Sequence, residues 1–143
     1  MLNWATGILM IAAFLDVVAA IAHLACLAIG GSAFRFLGAD ERLASEFEAG
    51  KSRPILITLM IALILSIWAI FALSGAGLIA TLPLTKWVLL AISGVLIVRA
   101  FTFPLLKPYF PENSIKFWFI SSGICFVMGT AHLVGVITRW YLL

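Results

Sequence analysis

Long apolar stretches fill this chain, and polar residues mark the breaks between them. No Asp, Glu, Lys or Arg occurs between Arg53 and Lys86, and none from Phe117 to Thr138. Runs of about 18 or more apolar residues with few charges read as membrane spans. The pattern predicts four of them, at about 4–30, 54–74, 84–103 and 115–138. Pro54 suits a first helical turn, where its missing N–H costs nothing. Pro104 is expected to stop the third span, and Ser114 to cap the fourth. The first span lacks a basic leader and is too long for a signal-peptide core, so it reads as retained. The expected fold is all-α: one transmembrane domain, 1–143, built as an integral membrane four-helix bundle.

The one substantial polar segment is 31–53. Asp40 can cap a short helix over Glu41–Ala49, which Gly50 would end. Leu43 and Phe47 share one side of it and charged residues surround the rest, as in an amphipathic helix lying on a membrane interface. The plainer alternative is a connector.

Charge sets an orientation. The side bearing both termini carries only Lys86 and Arg139. The other carries Arg35, Arg42, Lys51, Arg53, Lys107 and Lys116, with Arg99 close by. Cytoplasmic loops are enriched in Lys and Arg, so segment 31–53 is expected to be cytoplasmic and both termini outside. Trp4, Trp68, Trp87, Trp140 and Tyr141 would anchor the outer interface, and Tyr109 and Trp118 the inner one. The 143 residues are 64% hydrophobic and 10% charged, with a net charge of +3 from dispersed residues. That leaves no nucleic-acid footprint. Membrane lipids are the expected partners. Two cysteines in apolar segments make no disulfide framework.

Candidate chemistry lies on two helical stripes. Ala12, Asp16, Ala19, His23, Cys26 and Gly30 recur at spacings of four and three, which places them on one face. In the fourth span Ser122, Cys125, Gly129, His132, Val136 and Arg139 do the same. Both histidines sit in the same tripeptide, Ala-His-Leu. Small residues let membrane helices approach closely and polar ones bond between them, so spans one and four are expected to be antiparallel neighbours. At about 1.5 Å per residue, Asp16 and His132 come within reach of each other near mid-depth. His23, Cys26, Ser122, Cys125 and Arg99 fall toward the cytoplasmic side.

Three functions fit these residues. Intramembrane ionisable groups mark proton and ion paths, so Asp16, His23, His132, Arg99 and Ser122 could serve a transporter or channel-like protein for protons, ions or a small solute. A homodimer would give such a path more room. Alternatively, His23, Cys26 and Cys125 offer imidazole and sulfur suited to copper or zinc, in a metal- or haem-binding redox protein. One haem shared by both histidines is disfavoured, because the rings should lie about 10 Å apart in depth. The third reading is an accessory protein that binds a lipid or protein partner. No cofactor is specified and no nucleophile–base pair stands out, so an enzyme is the less favoured class. A bland reading runs beside all three. It has the stripes as close-packing surfaces, the cysteines as small hydrophobes and Arg99 snorkelling to the interface.

Three segments, Phe36-Leu37-Gly38-Ala39-Asp40-Glu41-Arg42, WAIFALSGAG from Trp68 to Gly77, and Gly129-Thr130-Ala131-His132-Leu133, resemble a group of small four-span bacterial membrane proteins with no established activity. The resemblance implies a bacterial inner membrane and four helices. It transfers no functional residue.

Overall fold

The computed structural model describes residues 3–143. Helix α1 spans Trp4–Ile29 and opens on Asn3, whose side chain accepts from the Thr6 amide at 2.9 Å. The chain reverses at Gly30, where φ is +98°, into α2 (Gly31–Phe36) and α3 (Glu41–Glu48). Helix α4 covers Ser52–Ala76 and ends on left-handed Gly77. Helix α5 covers Thr85–Phe101, α6 Phe103–Leu106, a 3-10 turn Lys107–Tyr109, and α7 Ile115–Thr138. Among the described residues every regular element is helical. Helices α1, α4 and α7 are each long and apolar enough to cross a membrane, and α5 joins them if the bent segment after it is counted as its continuation.

Two boundaries depart from expectation. Pro104 does not stop a helix. The break falls earlier, at Thr102, where the path turns by 62°, and Pro104 sits in the first turn of α6. A proline there gives up no hydrogen bond, and its fixed φ favours helix entry. Helix α2 lies in a segment that carries no apolar period and begins with glycine, so the pattern gave no sign of it. Helix α3 does match its expected bounds, but its apolar face is not free for lipid. Leu43 and Phe47 pack with Phe34 and Cys26 beneath the α2–α3 segment, and the Phe34 and Phe47 rings lie 5.0 Å apart. The segment is therefore a cap folded onto the ends of α1 and α4.

Helix α1 packs along α4, α5 packs along α7, and contact between α1 and α7 joins the two pairs. Leu9, Ala12 and Ala13 of α1 meet Ala72 and Ala76 of α4, Leu89, Ile92 and Leu96 of α5, and Met128 and Val136 of α7 in one core. Small residues set the spacing. A methyl group on Gly75 would come 2.7 Å from Leu89 Cδ1 and 3.3 Å from Leu9 Cδ1, and one on Gly135 would run into Leu9. Leu9 thus fills a notch left by two glycines. Outward, Ile11, Phe14, Leu56, Met60, Leu63, Val95, Val98 and Phe126 stand exposed, an apolar surface larger than a soluble monomer tolerates.

Charges fasten the cap. Arg35 grips Glu41 with Nε at 2.8 Å and Nη2 at 2.6 Å, and Glu48 with Nη1 at 2.7 Å. Glu46 receives Arg53 at 2.9 Å and Arg42 at 3.2 Å, with Lys51 at 3.9 Å. The Arg35 guanidinium holds the Glu41 and Glu48 carboxyls below their usual range. Burial pushes Glu46 up, and its bonds from Arg53 and Arg42 outweigh that and bring it down. Asn113 Nδ2 donates to the Gly38 carbonyl at 3.0 Å, tying the cap to the start of α7.

Two outcomes follow from this packing. Gly135→Val should cost about 1–3 kcal/mol, read as earlier unfolding in mixed micelles; unchanged unfolding would mean the notch is not tight. Carboxyl groups depressed on folding stabilise the cap above their unfolded value near 4.5. That stability is lost as pH falls through the lower folded values. Amide protection factors over 31–50 should therefore drop below that pH and at high salt, and flat protection down to about pH 3 would show that the pairs do not fasten the cap.

Candidate functional site

The inner face of α7 meets the inner face of α1 through two polar contacts with Leu9 between them. Toward the termini, Arg139 Nη1 donates to Thr6 Oγ1 at 2.6 Å. Further in, His132 Nε2 lies 3.1 Å from Asp16 Oδ2, and neither side chain has any exposed surface. The other ring nitrogen, Nδ1, lies 2.9 Å from the Met128 carbonyl. A carbonyl can only accept, so Nδ1 carries a hydrogen. Nε2 and Oδ2 can then bond only with one proton between them. It resides on the imidazole, giving an ion pair, or on the carboxyl, giving a neutral pair. Both arrangements have zero net charge, which is what makes burial tolerable. Asp16 Oδ1 has no hydrogen-bond partner and is sealed from the surface.

The spacing of the stripes placed Asp16 and His132 on facing helices, and the structure brings them together. It does not assemble the expected cytoplasmic group. His23 and Cys26 turn toward α4 and the cap, where they line a cavity of about 350 Å³ with Thr58, Arg53, Asp40 and Phe110. His23 Nδ1 lies 2.7 Å from the Ala19 carbonyl, and the Cys26 thiol 3.7 Å from that of Ala22. Arg99 and Ser122 lie elsewhere, between α5 and α7. Arg99 turns toward α7. Its Nη2 donates to Ser121 Oγ at 3.2 Å, and its guanidinium stacks 5.1 Å above the Trp118 ring. Trp118 is correspondingly a buried residue, 2% exposed, and not the interfacial anchor expected of it. Ser122 is buried with its hydroxyl unpartnered. Cys125 packs against the main core.

The reason is rotational. His23 and Cys26 lie seven and ten residues beyond Asp16, and a helix of 3.6 residues per turn carries a stripe slowly around its axis. By the end of α1 next to the cap its stripe faces α4, its principal neighbour, instead of α7. No group of three or more His, Cys, Asp or Glu side chains among the described residues is placed to hold a metal ion. His132 has both nitrogens engaged within the protein, so in this arrangement it offers no lone pair to a metal or haem iron.

Thr6, Thr58 and Arg53 escaped the reading of the sequence. Thr6 had a detectable signal, because stepping back from Asp16 through Ala13 and Leu9 by threes and fours reaches it. Ser93, also unassigned to any site, donates to the Gly129 carbonyl at 2.9 Å and bonds α5 to α7 where Gly129 allows close approach.

If Asp16 and His132 act as one unit, removing either strands the other in a dry interior. Asp16→Leu and His132→Phe should each cost about 1–3 kcal/mol. The double variant should cost clearly less than the sum. Unfolding in mixed micelles measures all three, and strictly additive losses would show the pair to be uncoupled.

No family model, curated protein or solved structure matches this chain, and the likeness noted above rests on those three short segments alone.

Proposed function

We propose that this is a multi-pass protein of a bacterial plasma membrane that moves protons, alone or coupled to another ion or a small solute, with Asp16–His132 as the proton-binding site. The observation that carries this reading is the sealed pair at 3.1 Å with its second nitrogen pinned to a carbonyl. Carboxylates and imidazoles within membrane spans are costly and recur in proton relays. This pair is also intrinsically a one-proton device. With the proton present, the helices are bonded. With the proton gone, Nε2 and Oδ2 both present lone pairs to each other, and α1 and α7 lose their inner bond. Proton release therefore loosens the seam through which water must enter.

The excess of Lys and Arg on the side of α2, α3 and α6 supports a cytoplasmic cap and outward-facing termini. A homodimer would shield a loosened seam from lipid. The metal or haem alternative has no supporting cluster among the described residues, since Cys125 packs against the main core, away from His23 and Cys26.

Reconstituted into liposomes with an internal pH dye, the protein should dissipate an imposed pH gradient faster than protein-free vesicles. Asp16→Asn and His132→Ala should each slow this at least about tenfold, the scale of one charge-assisted hydrogen bond. Equal flux in both variants and the parent would remove the proton reading. A cysteine introduced at Tyr141, labelled from outside intact cells by an impermeant maleimide after Cys26→Ala and Cys125→Ala, checks the orientation. Labelling only after lysis would reverse it.

A further inference from the structure

The cavity at His23 is a second candidate site, separate from the proton pair. It lies between α1, α4 and the cap, and its volume of about 350 Å³ is within the range of small-molecule sites. Its walls are largely apolar, with Phe34, Ile57 and Phe110 among them. The polar groups inside share one property: each has its hydrogen committed to its own backbone. His23 Nδ1 faces the Ala19 carbonyl at 2.7 Å and must carry the ring hydrogen there. Thr58 Oγ1 donates to the Pro54 carbonyl at 2.8 Å. The Cys26 thiol points at the Ala22 carbonyl at 3.7 Å. The interior therefore offers lone pairs and no free hydrogen. The strongest of these acceptors is His23 Nε2, which has no protein partner and is not among the sealed polar atoms. At the rim the charges oppose each other: the Asp40 carboxylate, and Arg53, which Glu46 already holds at 2.9 Å. The rim thus presents one charge of each sign and no net charge to draw in an ionic ligand.

We propose that this cavity binds an uncharged, mainly apolar molecule bearing a hydroxyl group, an alcohol or phenol, whose O–H is received by His23 Nε2. The site opens where the cap meets the bundle, with Leu37, Ala39 and Leu43 of the cap along one wall. It is independent of proton movement at Asp16–His132 and stands or falls without it.

The two histidines make the test internally controlled. Protein with ¹⁵N-labelled histidine is placed in lipid nanodiscs and titrated with 4-butylphenol, butylbenzene and 4-butylbenzoate. The phenol should shift the His23 Nε2 resonance saturably while His132 stays still. Butylbenzene should leave Nε2 unmoved and bind about tenfold more weakly, the loss expected for one hydrogen bond of about 1.4 kcal/mol. Ile57→Trp, which fills the cavity, should abolish the phenol shift, with an unchanged His132 signal reporting that the bundle is intact. Three results would overturn the proposal. They are no His23 shift up to the solubility of the phenol, a shift that persists in Ile57→Trp, and tighter binding of the benzoate, which would make the ligand an anion.

Discussion

A carboxylate with no access to water cannot stand alone, and Asp16 is such a carboxylate. The arrangement of α1 and α7 answers that constraint. His132 meets Oδ2, the Met128 carbonyl fixes the imidazole, and the two helices must lie close enough for a 3.1 Å contact. That distance requires the residues around it to be small. Ala12 and Ala13 flank Asp16 on α1, and Gly135, against Leu9, follows His132 on α7. One buried charge therefore dictates the composition of about two turns on each helix. A pair of larger apolar residues could hold two helices together without any of this.

Beyond the pair, the molecule separates its polar work from its apolar surface. The perimeter presents Ile, Leu, Val and Phe outward, and the interior is stitched by single bonds between helices: Arg139 to Thr6, Ser93 to Gly129, Ser74 to Thr85 at 3.2 Å. These bonds lie inside the bundle, and small residues bring the backbones within their reach. Ion pairs gather in the cap, where solvent screens them and makes the α2–α3 segment the part of the fold most sensitive to pH and salt.

How far the site could be read from the chain depended on distance along a helix. Asp16 and His132 were recoverable because Asp16 lies near the middle of its span and the depth of His132, counted from the outer end of its own, differs from it by about one turn. His23, Cys26, Ser122, Cys125 and Arg99 share a depth but not a face. Period alone does not say which of two neighbours a residue meets once the stripe has wound further around the axis. Trp118 was misplaced for a related reason. The belt rule applies to a tryptophan at an interface, and it cannot register that Arg99, nineteen positions earlier, folds over this ring.

Hydropathy and spacing alone established the helices, their order, the cap at Asp40, and the faces carrying Asp16 and His132. These are local properties, decided by residues within one or two turns of each other and by the absence of charge over a bilayer's thickness. The pairing of α1 with α4 and of α5 with α7, the turn at Thr102, helix α2, the cavity at His23 and the stacking of Arg99 on Trp118 came only from the tertiary structure. Spans this evenly apolar carry no amphipathic face to specify a partner, so the fit of side chains such as Leu9 into the notch between Gly75 and Gly135 selects it.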